Sequence, residues 1–189
     1  KNFLRLFSMA FPVVNKFYAC YIGRSEVRVT RIRTATMDDL EMIAAVEAEC
    51  FPAAEAATKE EFAKRLQHYS DHFWLMFEGE KLIAFVDGFV TDEADLTDEM
   101  YEKAELHNEH GAWQMIFGVN TIPACRRHGY AGELICRAIQ DAKKQGRKGL
   151  VLTCKDRLVP YYAKFGFVNE GVSDSAHGNV VWNQMRLIL

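Results

Sequence analysis

The segment Pro123-Ala124-Cys125-Arg126-Arg127-His128-Gly129-Tyr130-Ala131-Gly132 lies between a stretch with strand character and a stretch with helix character. Such a junction exposes backbone N–H groups that no carbonyl within the helix accepts, and the helix dipole adds partial positive charge. It is therefore suited to an anion, above all a pyrophosphate. Gly129 and Ala131 let the backbone approach the phosphates closely, while Arg126 and Arg127 supply positive charge. Basic residues beside glycine also occur in ordinary loops, so the segment alone leaves both interpretations open.

The residues on either side of this segment favour a strand, a helix and a second strand, in that order. Residues 112–121 form a long apolar run that is typical of a central strand. Apolar residues then recur at helical spacing from Leu134 to Ile139. Residues 150–154 have the continuous apolar character of a buried strand in a parallel pair. We therefore predict a helix over residues 129–145, between two buried strands.

The remainder of the chain supplies further helices and strands. The side chains of residues 27–33 alternate between apolar and polar, which predicts a half-buried strand. Thr36 is predicted as a helix N-cap, and Thr58 with Glu61 forms a capping box for the next helix. The other predicted elements are a hairpin of residues 73–77 and 82–90, a short helix at 158–164 and closing strands at 167–169 and 180–188. This order predicts a mixed α/β sheet with helices on both faces.

Composition excludes several classes of protein. The chain has 189 residues, of which 49% are hydrophobic and 26% charged, and its formal net charge is −3. That balance is typical of one soluble folded domain and argues against disorder and against a broad nucleic-acid-binding surface. No run reaches the roughly 18 apolar residues of a membrane span. The five cysteines are odd in number and lack zinc spacing, which predicts reduced thiols, no metal site and a cytoplasmic location.

Residues 1–26 differ in composition from residues 27–189. The first segment is basic and aromatic, and it contains no acid before Glu26. Pro12 and Asn15 interrupt its apolar run, so it does not have the pattern of a secretory signal. We expect one folded domain over residues 27–189. The segment before it is an arm that packs on the domain or on a partner subunit, or a non-native extension, and its role is unknown.

A second unusual stretch, residues 92–109, carries eight acidic side chains and one basic side chain, Lys103. A solvated helix or loop explains such a composition. The alternative interpretation is a wall that attracts a positively charged substrate.

Two motifs in the right order resemble those of a known superfamily. Pro123-x-x-Arg126-x-x-Gly129-x-Ala131 resembles the acetyl-CoA pyrophosphate loop of the GNAT superfamily of N-acetyltransferases, whose core is Gln/Arg-x-x-Gly-x-Gly/Ala. Residues 154–167 are similar to the superfamily's closing segment, where a strand, a helix bearing a tyrosine and a Y-x-x-x-G-F turn follow one another. The pattern Cys-x-Asp-x-Leu-Val-Pro-x-Tyr is most similar to the serotonin (arylalkylamine) N-acetyltransferase-like branch, in its bacterial type.

The resemblance, which covers residues 27–189, implies an α/β (α+β) fold. It implies a mixed, mostly antiparallel central sheet with a splayed parallel strand pair and helices on both faces. Acetyl-CoA, as a co-substrate, is then expected in the V between the long strand and the strand at 150–154. The backbone of Val119, Asn120 and Thr121 would pair with its pantetheine arm. The pyrophosphate would be held by Arg126, Arg127, His128, Gly129, Tyr130, Ala131 and Gly132.

The resemblance also assigns a catalytic role and exposes one departure. Tyr162 matches the tyrosine that protonates the departing CoA thiolate, with simple packing on the sheet as the alternative. Serotonin-type enzymes carry two histidines on the long strand that relay the proton of the amine through water. Met115 and Phe117 stand at those positions here, and neither side chain accepts a proton. The candidates that remain for this task are Glu49, Asp87, His110 or a chain of water molecules.

These observations predict an acetyl-CoA-dependent N-acetyltransferase. A small primary amine is expected to attack the thioester directly in a ternary complex, while a backbone N–H of the long strand polarises the carbonyl. The alternatives are a protein or peptide acceptor, a non-catalytic acyl-CoA-binding sensor, and an interaction protein that acts through residues 1–26. No nucleic-acid or membrane partner is expected, and a homodimer stays open.

Overall fold

The computed structural model describes residues 29–176, 178 and 180–189, and within them nine strands and five helices. The segment 1–26, predicted to be an arm or extension, lies outside the described residues. The helices are α1 (Leu40–Cys50), α2 (Lys59–Tyr69), α3 (Glu99–Glu102), α4 (Tyr130–Lys144) and α5 (Val159–Ala163). The strands are β1 (Thr30–Thr34), β2 (Phe73–Glu78), β3 (Lys81–Asp87), β4 (Val90–Thr91), β5 (Trp113–Ile116), β6 (Gly118–Thr121), β7 (Gly149–Cys154), β8 (Val168–Val172) and β9 (Asn183–Ile188).

The helix starts follow from local hydrogen bonds. Thr58 and Glu61 form the predicted capping box at α2, in which the Thr58 side chain accepts from the Glu61 N–H. Thr36 and Asp39 form a second capping box, but a single 3₁₀ turn separates it from α1. Each box pairs backbone N–H groups that the first helical turn leaves without partners.

The strands form two sheets, in the orders β1-β2-β3-β6 and β4-β5-β7-β9-β8. Among the described strands, β5 and β7 are the one parallel pair, and every other pairing is antiparallel. The predicted single strand over residues 112–121 is divided at Phe117, so that β5 belongs to one sheet and β6 to the other. The long strand thus joins the two sheets.

Helices cover both faces of the first sheet. Phe73 on β2 contacts the ring of Phe62 on α2, whereas its neighbour Trp74 donates a hydrogen bond to Asp141 on α4. Because successive side chains of a strand point to opposite faces, α2 and α4 lie on opposite sides of the sheet. The interior residues of β3 are buried on both sides, as expected between two helical layers. None of the described helices is long and apolar enough to span a membrane.

Candidate active site

The parallel strands β5 and β7 separate at a defined point. Their pairing ends where Ile116 lies opposite Leu152. Beyond it, β6 pairs with β3, and the last two residues of β7, Thr153 and Cys154, pair with β9. The two strands therefore diverge and leave a V between their carboxyl-terminal halves.

A β-bulge marks the division between β5 and β6. The Asp87 carbonyl accepts a hydrogen bond of 2.8 Å from the Phe117 N–H, although Gly118 is the residue in register with Asp87. Two residues of the long strand thus face one residue of β3, which bends the strand. Bulges of this kind are frequent beside active sites.

The open edge of β6 presents free backbone groups to the V. The Ile122 N–H donates to the Ile83 carbonyl at 3.0 Å. Bonded residues alternate along an antiparallel strand, so the backbone of Asn120 faces β3, and that of Val119 and Thr121 faces the open edge. The Thr121 carbonyl accepts from Arg126 Nε at 3.1 Å, which ties the loop after β6 to the strand.

The loop between β6 and α4 leaves backbone donors unpaired. The first hydrogen bond of α4 runs from the Glu133 N–H to the Gly129 carbonyl, so the N–H groups of Tyr130, Ala131 and Gly132 have no partner within the helix. Gly129 has a φ of 90°, a left-handed conformation that suits glycine, and Arg127 has a φ of 66°. The exposed polar side chains of the loop are those of Arg126, Arg127 and His128.

Tyr162 lies on α5, just beyond the end of β7. Its ring packs edge-on against Tyr161 and Phe167, and the residue is 6% exposed. Burial, and after it the nearby Cys154 and Tyr161, raises the pKa of Tyr162 well above its ordinary value. The phenol is therefore protonated at neutral pH, which is the state that a proton donor needs.

A cavity of about 260 Å³ lies beside the point where β5 and β7 separate, on the face of the sheet that α1 and α2 cover. Phe117, Gly118 and Thr153 form its floor, at the point where β5 and β7 separate. The other aromatic side chains that line the cavity belong to Phe51, Tyr101 and Trp182. Six carboxyl groups line it, those of Glu47, Glu55, Glu61, Asp87, Asp98 and Glu102.

One cation, Arg65, is present among the described residues that line this cavity. Its Nη1 lies 3.1 Å from Asp87 Oδ2, and its Nη2 donates to the Tyr101 carbonyl at 3.0 Å. Lys155, outside the lining, neutralises Glu55 with two contacts of 2.8 Å. The carboxylates still outnumber the cations around the cavity, so its electrostatic potential favours a positively charged ligand.

The deep end of the cavity is a buried polar cluster of Glu47, Arg65, Asp87 and Asn120, all at most 5% exposed. A Cβ atom at Gly118 would lie 2.5 Å from Asp87 Oδ1 and 3.0 Å from Asn120 Nδ2. Gly118 therefore provides the space in which these side chains meet. Both polar atoms of the Asn120 side chain lack a hydrogen-bond partner among the described residues.

Glu47 and Arg65 are the members of this cluster that the sequence interpretation missed, and Glu47 is the one that can exchange a proton. Burial, followed by the negative charge of Asp87, raises the pKa of Glu47 to about 7, against the opposing effects of the Ala57 N–H and of Arg65. Its position was readable from the helix period, because Glu47 follows Leu40 and Ile43 at intervals that place it on the apolar face of α1. An acid on an apolar face is an exception that indicates function.

The predicted proton acceptors do not all reach the cavity. Asp87 lines it, whereas Glu49 and His110 are exposed and are not among its lining residues. Of the two residues at the histidine positions of serotonin-type enzymes, Met115 is completely buried in the core and Phe117 faces the cavity. Of the predicted acid-rich stretch, Asp98 and Glu102 contribute to the cavity wall.

Comparisons with known proteins agree with this architecture. The model of the acetyltransferase (GNAT) family matches residues 40–167. The chain is 25% identical over 183 residues to serotonin N-acetyltransferase of Mesocricetus auratus, covering 94% of this chain and 86% of that protein. The loading GNATL domain of CurA from Lyngbya majuscula superimposes with a TM-score of 0.74 at 14% identity, covering 85% of this chain and 98% of that domain. PaiA N-acetyltransferase from Thermoplasma acidophilum, solved in complex with coenzyme A, gives a TM-score of 0.64 at 16% identity, covering 85% of this chain and 99% of the other.

The divided long strand and the splayed parallel pair of the described residues agree with the fold of these acyltransferases. The chain belongs to the acetyltransferase (GNAT) family, because the family model matches more than half of its length. The fold class and the enzyme class predicted from the sequence are confirmed. The match to a serotonin N-acetyltransferase agrees with the predicted branch.

Proposed function

We propose that this enzyme moves the acetyl group of acetyl-CoA to a primary amine by direct attack within a ternary complex. The observation that carries the proposal is the carboxylate-lined cavity on the α1 and α2 face, whose floor lies where β5 and β7 separate. A thioester held in the V would meet there an amine held in the cavity. Holding both reactants together removes much of the entropic barrier of a two-molecule reaction.

The proposed acetyl-CoA site combines a strand edge and a helix start. The backbone groups of Val119 on the open edge of β6 suit the amides of a pantetheine arm, which would add to β6 as a further strand does. The Thr121 carbonyl already accepts from Arg126 Nε and would have to exchange that partner for the arm. The unpaired N–H groups of Tyr130, Ala131 and Gly132 suit a pyrophosphate. Arg126, Arg127 and His128 would add donors and charge around it.

The chemistry requires two proton movements. The nitrogen of the neutral amine attacks the thioester carbonyl carbon, so that a C–N bond forms and the C–S bond then breaks. Tyr162 is proposed to give its phenolic proton to the departing sulfur, which leaves as the thiol, and to regain a proton from the nitrogen as the amide forms. A backbone N–H of the long strand is proposed to stabilise the negative oxygen that develops on the carbonyl.

The proposed acceptor is an amine that arrives as an ammonium ion. Carboxylates around the cavity attract that ion and hold it until it is deprotonated. The rings of Phe51, Phe117 and Trp182 offer apolar contact to its carbon skeleton, and their faces attract a cation. A small aromatic or aliphatic amine fits a cavity of about 260 Å³.

The proposal is tested by measuring the release of free thiol from acetyl-CoA across a panel of monoamines, polyamines and peptides. We expect turnover with at least one small cationic amine and none with the corresponding neutral alcohols. Turnover with peptides alone would identify a protein or peptide acceptor instead. Calorimetric binding of CoA without thiol release from any acceptor would identify a non-catalytic sensor and end the proposal.

A further inference from the structure

The proposed reaction needs a group that takes a proton from the acceptor, because an alkylammonium ion with a pKa of about 10 carries no free electron pair at neutral pH. Met115 and Phe117 cannot do this, and the carboxyl group of Glu49 is exposed outside the cavity. Asp87 is within the cavity, but its carboxylate is engaged by Arg65 at 3.1 Å. The proton is therefore accepted by another group in the lining of the cavity.

Glu47 has the geometry that this task requires. Its side chain is buried, and its Oε1 atom accepts a hydrogen bond of 3.1 Å from the Ala57 N–H, which fixes the carboxyl group. Its Oε2 atom is equally buried and makes no hydrogen bond of good geometry among the described residues, although the Asn120 amide is close enough to act on the carboxyl group. A buried carboxylate oxygen without a well-formed hydrogen bond is costly, and a ligand at the cavity wall would complete its hydrogen bonding.

The charged neighbours of Glu47 shift its pKa in opposite directions. Asp87 on β3 and Arg65 on α2 act on it with opposite charges, and the Asn120 amide on β6 lowers its pKa through a side-chain hydrogen bond. The other titratable groups that face the same cavity are Glu55, Glu61, Asp98, Tyr101 and Glu102. An excess of negative charge around the cavity favours the neutral form of Glu47, so its carboxylate has a raised affinity for a proton near neutral pH.

We propose that Glu47 is the catalytic residue that removes the proton from the acceptor amine, an inference that rests on the proposed acetyl transfer. An N–H bond of the ammonium ion breaks, its electron pair stays on nitrogen, and the proton forms an O–H bond with Glu47 Oε2. The freed electron pair then forms the C–N bond. The second proton that the nitrogen loses restores Tyr162 after it has protonated the sulfur. Glu47 returns its own proton to solvent through the cavity mouth, so each cycle releases one proton.

The test uses Glu47→Gln, which keeps the size of the side chain and removes its basicity. The matched control is Glu49→Gln, on the same helix but exposed outside the cavity. The pH dependence of kcat/KM is measured with the best amine of the panel and with trifluoroethylamine, whose nitrogen is far less basic. CoA binding by calorimetry verifies that each variant is folded.

We expect wild-type kcat/KM to increase with pH through an inflection near 7, the pKa of Glu47. In Glu47→Gln this inflection should disappear, and kcat/KM at neutral pH should be roughly 10²- to 10⁴-fold lower. The loss should shrink at high pH and with trifluoroethylamine, because the amine is then already neutral. Glu49→Gln should behave as the wild type does.

Other outcomes overturn the inference in distinguishable ways. If Glu47→Gln lowers kcat/KM equally with both amines and at every pH, Glu47 has only a structural role. A wild-type enzyme that acetylates amines and is unaffected by Glu47→Gln would reject the base and leave the proposed function intact. A wild type without turnover on any amine would reject both. If Glu47→Gln does not fold, Glu47→Asp takes its place, and an inflection that keeps its position and amplitude there would contradict the assignment.

Discussion

Arg65 and Asp87 form a buried ion pair between α2 and β3, with 3.1 Å between Arg65 Nη1 and Asp87 Oδ2 and side chains 6% and 1% exposed. A buried charge that loses its partner has neither water nor an opposite charge to stabilise it. Asp87→Asn should therefore lower the free energy of unfolding by about 3–5 kcal/mol. Urea-induced unfolding, followed by circular dichroism, measures this change.

The matched control for the ion pair is Glu41→Gln, which breaks the exposed pair of Glu41 with Lys59 between α1 and α2. Solvent screens that pair, so its loss should change the free energy of unfolding by less than about 1 kcal/mol. The double variant Arg65→Met/Asp87→Leu should be more stable than Asp87→Asn, since it buries no unpaired charge. Equal effects of Asp87→Asn and Glu41→Gln would show that burial of the pair has no energetic consequence.

A second prediction concerns Tyr162, whose buried ring lies just beyond the end of β7. If its hydroxyl protonates the leaving thiolate, Tyr162→Phe should lower kcat by roughly 10²- to 10⁴-fold and leave the Kd for CoA nearly unchanged. Steady-state kinetics and calorimetry measure the two quantities separately. Tyr161→Phe, which removes a neighbouring hydroxyl from the same helix, is the control and should retain kcat. A parallel loss of kcat and CoA affinity in Tyr162→Phe would indicate packing alone.

The sequence predicted the elements that local chemistry determines. The capping box of Thr58 and Glu61 lies at the start of α2 as expected, and the apolar period after Gly129 corresponds to α4. Such features involve residues within one helical turn or one heptad of each other, so their interactions are readable from spacing. The loop from Arg126 to Gly132 was recognisable for the same reason.

Features that depend on distant residues were not predictable in the same way. The apolar run over residues 112–121 looks continuous, yet it divides at Phe117. Its first half, β5, pairs with β7, and its second half, β6, pairs with β3 in the other sheet. The meeting of Asp87 with Asn120 depends on Gly118, which leaves room for them, and no local pattern records that contact. The proton acceptors predicted from sequence therefore included Asp87 but also the exposed Glu49 and His110.

A third prediction compares two glycines with left-handed backbones. Gly129 begins α4 with a φ of 90°, and Gly79 lies in the β2–β3 turn with a φ of 57°. A Cβ atom at either position would meet no atom within 4 Å, so a side chain strains the backbone in both without a clash. Gly129→Glu adds a negative charge where the pyrophosphate is proposed to bind, and it should abolish CoA binding. Gly79→Glu should cost comparable stability but leave the calorimetric Kd unchanged, and similar affinities in the two variants would refute the loop assignment.

The last prediction concerns Glu102, which is exposed on α3 and lines the mouth of the acidic cavity. An exposed carboxylate acts on an approaching ammonium ion through solvent, so its contribution is modest and depends on salt. Glu102→Gln should lower kcat/KM for a cationic amine roughly two- to five-fold at low ionic strength. The difference should vanish near 1 M salt, where the screening length falls to about 3 Å.

Glu105→Gln provides the control for this electrostatic effect, because Glu105 belongs to the same acid-rich stretch but does not line the cavity. Both substitutions change the net charge of the protein equally, so a general effect of charge would lower kcat/KM in both. A local effect at the cavity mouth lowers it in Glu102→Gln alone. Measuring kcat/KM at several salt concentrations for both variants therefore separates attraction by the cavity from attraction by the whole surface. If kcat/KM depends on salt equally in the two variants, the cavity wall has no role in capturing the amine.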